Sequence, residues 1–336
     1  MNIDLVYLWV DGADAKWRAK KEAALNASRR ALPTSSVSSH RWQDHNELKY
    51  GLRALEKFAP WINHIYIVTD NQHPAWLSNN PKVTIINQSE ILEADKLPTF
   101  NSVHIEFFLY KIKNLSEHFL YANDDMIMNT PLSPDFFFDE NGNPRVIIKE
   151  RDNARAFRRR KVNGNWNNTK FNALNLIREK FRKKYNVTYK HCIEPIRKSY
   201  MRENAEKNWN EIAVPNMTTF REKTNVQRMV YCLLDNAQHR NQLFLNWRDG
   251  KKRIEYFVDK DSGFLRAAHG FRWLIATMFG YIKYDCYDKQ PGIVHFIRKY
   301  MPKTFCINDS RNSRKKFIAV EKLFKDLFPN KSEFEL

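Results

Sequence analysis

FLYANDD, residues 119–125, decides the fold. Phe119 to Ala122 read as a buried strand, and Asn123 passes the chain into two consecutive acids, Asp124 and Asp125. Two upstream strands end in the same way. IDLVYLWV (3–10) stops at the turn signal Asp11-Gly12, and HIYIVTD (64–70) stops at Asp70. Between them, NELKYGLRALEKF (46–58) spaces Leu48, Leu52, Leu55 and Phe58 as one helical face, with Asp44 or Asn46 as its N-cap. A short helix over PAWLSN (74–79), a strand VTIIN (83–87) and a helix over IEFFLYKIKNL (105–115) complete the alternation. Strands alternating with helices over short loops predict an α/β fold, a mostly parallel, Rossmann-like sheet with helices on both faces. Ligands of such sheets sit beyond the carboxyl ends of the strands. A single strand-end Asp is an ordinary turn residue. Three at one edge mark that edge as the place to look for chemistry.

After residue 130 the pattern changes. NTPLSPDFFFDENGNPRV (129–146) reads as a loop with a short hairpin. Basic helices follow, and then FREKTNVQRMVYCLLDNA (220–237), which has helical periodicity. Short β-like pieces (RIEYFV, YIKYDCY) flank an aromatic helix around HGFRWLIATMFGY. A closing helix capped from Asn308-Asp309-Ser310 carries Phe317, Val320, Phe324 and Leu327 on one stripe. The expected organisation is one catalytic domain over 1–336. Its parts are a Rossmann-like part over 1–130, a basic, mainly helical insertion over 131–245, and a C-terminal part over 246–336 that completes the active site.

The bulk numbers narrow the partners. The 336 residues carry a net charge of +18, concentrated between Arg151 and Arg202 in RAFRRRK, REKFRKK and IRKSYMR. Such a field favours polyanions: phosphorylated or acidic substrates, anionic lipid, or nucleic acid. A solvated helical surface would give the same runs. No aromatic stacking platform or reading motif accompanies the charge, so specific nucleic-acid binding is not expected. With nine glycines there is no GxGxxG or P-loop. No apolar run reaches eighteen residues and the N-terminus lacks a basic leader, so the chain is expected in the cytoplasm. The four cysteines lie far apart without a CxxC pair, which fits a reducing compartment.

Four sets of residues carry candidate chemistry. Two carboxylates at Asp124 and Asp125 suit a hard divalent cation, Mg²⁺ or Mn²⁺, that also takes phosphate oxygens. A metal bridging a diphosphate would stabilise the charge developing on the leaving group. His191 lies in electropositive surroundings that favour a neutral imidazole able to act as base or nucleophile, although a lone histidine is more often structural. Arg221, in TTFREKT, has the planar fork that matches phosphate oxygens. Asn308-Asp309 reads as a helix cap or a second metal-ligand pair.

At these residues the chain resembles the Stealth family. Its members are sugar-1-phosphate transferases of bacterial capsule synthesis, and it includes the catalytic subunit of the animal lysosomal-enzyme N-acetylglucosamine phosphotransferase. Four blocks carry the resemblance. They are IDLVYLWVDGAD (3–14); RWQDHNELKYGLRALEKFAPWINHIYIVTDNQHPAWL (41–77) with LPTFNSVHIE (97–106) and FLYANDDMIM (119–128); ALNLIREKF through HCIEP to FRE (173–222); and MPKTFCINDS with the closing helix and tail (301–336). The resemblance implies catalytic roles for Asp4, Glu106, Asp125, His191 and Arg221. It places Trp9, Asp11, Gly12, Arg53, Asp70 and Asn101 in substrate binding, and gives Asp124, Asp125, Asn308 and Asp309 to a Mg²⁺ or Mn²⁺ ion. The implied reaction moves a sugar-1-phosphate from a nucleotide-sugar donor of UDP-hexose type to a glycan or phosphoglycan hydroxyl, free or lipid-linked, and releases a nucleoside monophosphate. His191 or Glu106 is the implied base, and the basic middle region would hold a polyanionic glycan or an anionic membrane. A metal-dependent glycosyltransferase releasing a nucleoside diphosphate is the competing expectation. The chain departs from the family in two places: HCIEP spaces its histidine and proline more widely than the common H-x-P form, and FNSVHIE stands where FNSHAIE is usual, displacing His104 by one position.

Overall fold

A computed structural model of the chain describes residues 1–28, 32–150, 165–182, 187–189, 192–228, 230–231, 244–245, 281–285, 297–298, 303–308 and 314–336. The expected helix around 269–281, the segments RAFRRRK and RIEYFV, and His191 and Asp309 lie outside these residues.

The central sheet has five strands: β1 (Ile3–Leu8), β2 (Ile65–Thr69), β3 (Val83–Asn87), β4 (His118–Asn123) and, from later in the chain, Glu194–Arg197. Their order is β3-β2-β1-β4 followed by the Glu194–Arg197 strand. The first four are parallel, and the last runs antiparallel to β4 with Pro195 opposite Leu120. Pro195 is tolerated there because an edge strand needs no ladder N–H on its outer side. β1 and β2 are buried almost throughout, the near-continuous apolar run of a sheet covered on both faces.

Helix α1 (Ala15–Ala27) follows β1, its first turn capped by the Asp14 carboxylate on the Trp17 N–H. Helix α2 (Glu47–Phe58) follows a 3-10 turn over Ser39–Trp42 and buries Leu48, Leu52 and Leu55 against Leu5, Tyr7, Ile65 and Ile67. Each such leucine contributes about 2 kcal/mol. Asn46 stands at its N-cap position in a left-handed conformation and makes no side-chain cap. The opposite face of the sheet is covered around α3 (Ser102–Phe107), with Val6, Val68, Phe119 and Tyr121 in one core with Val103 and Phe107.

Beyond β4 the chain turns through Asp124 and Asp125 into β5 (Met126–Met128). β6 (Val146–Glu150), β7 (Val187–Tyr189), β8 (Glu194–Arg197, the sheet's edge strand), β9 (Phe244–Leu245), β10 (Tyr281–Asp285) and β11 (Thr304–Asn308) follow. β10, β11 and β5 form a second sheet, and β7, β6 and β9 a third. Asp124-Asp125 is therefore the two-residue link between the first sheet and the second. Further helices are α4 (Asn165–Phe181), α5 (Lys198–Lys207) and α6 (Arg314–Leu327). Val320, Leu323 and Phe324 of α6 pack on Tyr50, Ala54 and Phe305. Among the described residues no helix is long and apolar enough to cross a membrane.

Several local expectations are corrected. PAWLSN forms a turn and not a helix, because Leu77 bridges to Glu335 of the C-terminal tail. The helix expected over 105–115 spans Ser102–Phe107 and passes into a 3-10 turn over Leu109–Lys111. Residues 220–228 are loop and turn, since their apolar positions fill separate cores. The closing helix is described over Arg314–Leu327 and Asn308 ends a strand, while Asp309 and Ser310 of the expected cap lie outside the described residues.

Candidate active site at the carboxyl edge

Because β1, β2 and β4 are parallel, their final acids fall at one edge of the sheet. Asp70 at the end of β2 is paired to Lys20 of α1 at 2.7 Å. The Asp11 backbone is held by Gln72, whose carbonyl accepts the Asp11 N–H at 3.0 Å and whose amide donates to the Asp11 carbonyl at 2.8 Å. Gly12 docks this loop on the 39–42 segment. Its N–H donates to the Trp42 carbonyl at 2.7 Å, and a Cβ at position 12 would stand 2.2 Å from that oxygen. Gly12→Ala is accordingly expected to cost about 1–3 kcal/mol, read as a lower urea midpoint at unchanged m-value.

The second wall is acidic. The Asp124 carboxylate accepts the Asp125 N–H at 3.0 Å, Glu47 accepts the His45 N–H at 2.6 Å, and Asp44 accepts the Asn46 N–H at 3.0 Å. Asp124 is partly exposed at the surface. Burial, then the charges of Asp125, Glu47 and Asp44, push its carboxyl well above the usual range. Burial also raises Glu47 to about 7 and raises Asp44, against the Asn46 N–H and the Trp9 indole. Tyr7, buried beside Asp124, is held in its phenol form by burial and then by that charge. The Asp125 carbonyl accepts the Ile307 N–H at 3.1 Å, and the Cys306 thiol lies 3.1 Å from its carboxylate. Cys306 pairs with Met126, so the antiparallel register continued outward sets the Asn308 backbone opposite Asp124.

Clustered carboxylates that repel one another form a hard-oxygen donor set of the kind Mg²⁺ or Mn²⁺ takes. Among the described residues no three ligand-type side chains converge on one point. Two carboxylates with water or phosphate oxygens is a normal shell for Mg²⁺, and the residues present fit that pattern.

A third wall is cationic. Glu106, buried on α3, accepts Arg228 Nη1 at 2.5 Å, while Arg228 Nε and Nη2 bind Glu194 of β8 at 2.8 and 2.7 Å. The Arg228 guanidinium also lies 4.1 Å from the centre of the Tyr121 ring. The Tyr121 hydroxyl in turn donates to Asn123, one residue before the acid pair. Arg221 donates to Ser102 Oγ at 2.7 Å. Burial lowers Arg221 against the pull of Glu106, and burial followed by the charge of Arg221 lowers Arg41.

The structure thus brings Trp9, Asp11, Gly12, Asp70, Asp124, Asp125, Glu106 and Arg221 to one edge, with the Asn308 backbone beside them. Three expected site residues have other positions. Asp4 lies at the opposite end of β1, five residues or about 15 Å of strand before Trp9. Its carboxylate accepts Asn63 Nδ2 at 2.8 Å and the Ser116 N–H at 2.7 Å, so it joins the loops at the amino edge. Arg53 forks onto Glu335 at 2.6 and 2.7 Å and onto the Phe328 carbonyl, and clamps the C-terminal tail to α2. Asn101 is fully buried. Its amide donates to Asn225 and Thr218 at 3.0 Å and its oxygen caps α3, so it fastens the loop that carries Arg221. Missing from the expectation are Arg41, Asp44, Glu47, Glu194 and Arg228. The only signal for Arg228 is a lone cation set among Val226, Met229, Val230 and Tyr231.

Conserved region 1 of the Stealth proteins matches residues 1–29, and conserved region 2 matches residues 41–146. Over these residues the chain is similar to the Stealth proteins. These two regions carry the first wall and the acidic wall, and Glu106 and Arg41 besides. Among its relatives, the capsular polysaccharide phosphotransferase cps12A of Actinobacillus pleuropneumoniae is 44% identical over 154 residues, 45% of this chain and 41% of that protein. A capsular polysaccharide phosphotransferase of Neisseria meningitidis serogroup B is 29% identical over 97% of this chain and 82% of its own length. The match thus spans about two fifths of cps12A but most of the meningococcal protein. Among solved structures, the galactosyltransferase LgtC in complex with donor and acceptor sugar analogues aligns over 97% of this chain and 95% of its own, at a TM-score of 0.43 and 10% identity. That likeness is too slight to bear on function.

Proposed function

We propose that this protein is a Stealth-type capsular polysaccharide phosphotransferase that moves a sugar-1-phosphate from a nucleotide-sugar donor of UDP-hexose type to a glycan hydroxyl. The reading is carried by one observation: β4 of the parallel sheet leads from Tyr121, in contact with the Arg228 guanidinium, through Asn123 into the crowded carboxylates Asp124, Asp125, Glu47 and Asp44. That pairing matches a diphosphate, whose oxygens take a divalent cation on one side and guanidinia on the other. The names of the relatives agree with it.

In this reading Asp124 and Asp125 hold Mg²⁺ or Mn²⁺, with Asn308 and Asp309 as further ligands. Such an ion would supply charge neutralisation on the diphosphate. Arg221 draws off charge from the transferring phosphoryl group. Asp11, Gly12 and Asp70, with Trp9, border the donor. Glu106 is ill suited to be the base, since its carboxylate accepts one guanidinium and faces two more. It is a positioning residue, and His191 is the proposed base for the acceptor hydroxyl. The acceptor is a glycan or phosphoglycan, held by the basic stretch Arg151–Arg202, which would also contact an anionic membrane surface.

The test is the nucleotide released. With Mg²⁺ and a panel of nucleotide sugars, a nucleoside monophosphate and a product phosphodiester visible by phosphorus NMR are expected. Release of a nucleoside diphosphate would replace this reading with glycosyl transfer.

A further inference from the structure

Strand β4 alternates its side chains between two cores. Leu120 and Ala122 join the core under α2, and Phe119 and Tyr121 the core around α3. The next position on the α3 face is Asn123, an amide where the stripe calls for an apolar residue. Asparagine at a strand end is ordinarily a turn residue whose side chain bonds the backbone two positions on. Asn123 does not serve that purpose. The turn into β5 is closed by Asp124, which accepts the Asp125 N–H at 3.0 Å, and by Met126, whose Sδ lies 3.5 Å from the Asn123 nitrogen.

The Asn123 side chain is held from the core side instead. Its Oδ1 accepts the Tyr121 hydroxyl at 2.6 Å. Tyr121 is fully buried, its ring centre 4.1 Å from the Arg228 guanidinium, which Glu106 and Glu194 fix in turn. Burial, then the Glu106 charge, raises the Tyr121 phenol, so the hydroxyl keeps its proton and stays a donor. An amide has two unlike ends, and a hydroxyl that donates to one of them decides how the plane is turned. Oδ1 faces the core, and Nδ2 faces out. Asn123 is partly exposed, and among the described residues Nδ2 donates to no protein atom while remaining open to solvent. The result is a donor oriented ahead of any ligand, immediately before Asp124 and Asp125. A carboxylate at 123 would add a further acid to a crowded group, whereas the amide of the same shape supplies N–H groups without charge.

A diphosphate whose oxygens meet a cation at the acid pair keeps other oxygens that need donors. We propose that Asn123, turned by the Tyr121 hydroxyl, donates through Nδ2 to an oxygen of the donor diphosphate. Asn123 touches the substrate, and Tyr121 is a positioning residue. The ligand rests on the nucleotide-sugar reading above, so the contact is tested with inorganic pyrophosphate and without any sugar.

The full chain is titrated with Mn²⁺ alone, followed by electron paramagnetic resonance, and with pyrophosphate at saturating Mn²⁺, followed by calorimetry. Asn123→Ala is expected to bind Mn²⁺ within twofold of the parent and pyrophosphate at least about tenfold more weakly, the scale of one hydrogen bond to a charged group. Asn123→Asp keeps the acceptor for Tyr121 and turns the donor into a charge. It is expected to bind Mn²⁺ at least as tightly as the parent and pyrophosphate more weakly than Asn123→Ala does. Tyr121→Phe keeps the ring beside Arg228 and frees the amide to turn over, so a pyrophosphate loss of threefold or more with unchanged Mn²⁺ binding is expected. Pyrophosphate affinity within twofold of the parent in Asn123→Ala overturns the contact. So does an equal fall in Mn²⁺ and pyrophosphate binding, which is what loosening of the turn alone would give, and so does a parent that takes no pyrophosphate. Should Asn123→Ala not fold, Asn123→Asp and Tyr121→Phe decide by the same comparison. Asn123-dependent pyrophosphate binding in a chain that releases a nucleoside diphosphate from nucleotide sugars keeps the contact and removes the phosphotransfer reading.

Discussion

Asp125→Asn is expected to lower sugar-phosphate transfer by at least about 10³-fold while leaving the fold intact, the scale of losing one electrostatic partner of a transition state. The substitution keeps the backbone bonds of the link between the two sheets, which use the Asp125 N–H and carbonyl, and its amide oxygen can still accept from the Cys306 thiol. Asp124→Asn is expected to give a comparable loss with a gain in stability above neutral pH. Its carboxyl is already pushed well up by burial and by Asp125, Glu47 and Asp44, so a neutral amide suits the site better than a charge does. Loss of activity with a gain in stability is the signature of a residue kept for function. The pH dependence follows from the same cluster. Glu47 is raised to about 7 in the folded chain, from an unfolded value near 4.5. The folded state therefore holds its proton more tightly, and that stabilisation is complete below the unfolded value and is lost as pH rises toward 7. In EDTA the urea midpoint is expected to fall between about pH 5 and pH 7.5, and Glu47→Gln is expected to flatten that decline. A midpoint that rises over this window would mean that the acids are not crowded.

The sheet was legible because parallel strands covered on both faces leave a simple record. Each of IDLVYL, IYIVT and HFLYAN is a short apolar run ending near a polar turn, and three of the turns are acidic. The acid pair followed from that record alone. The arginine wall did not, because its members are assembled by tertiary contacts. Arg41, Glu106, Glu194 and the pair Arg221 and Arg228 come from four separate segments, and no local period links them. Glu47 was hidden for another reason. In HNELKYGL an acid in the first turn of a helix is the ordinary choice, and nothing in the sequence says that this one faces Asp124. The roles implied for Arg53 and Asn101 stood on position within matched blocks. Residues that clamp a tail or fasten a loop share such blocks with residues that touch a ligand, and only contacts separate the two.

Arg228→Met is expected to be the most destabilising single change at the site, by about 3–5 kcal/mol, because it strands two buried carboxylates. Arg228 pairs with both Glu106 and Glu194, and the three side chains are nearly inaccessible to solvent. Without the guanidinium, both acids would be driven toward their protonated forms. The loss is therefore expected to be larger at pH 8 than at pH 5, where protonation relieves the stranded charges. Arg228→Met combined with Glu106→Gln and Glu194→Gln is expected to recover much of the stability, since an intact neutral set avoids the desolvation that the ion triad carries. Activity is expected to behave differently. Glu106 faces Arg41 and Arg221, and Glu194 begins the strand that follows the HCI segment, so the triad joins the arginine wall to the segment containing His191. The triple variant should melt near the parent protein and still transfer sugar phosphate at least about 10²-fold more slowly, the scale on which misplaced catalytic groups lose rate. Recovery of stability and rate together would make the triad a packing device and nothing more.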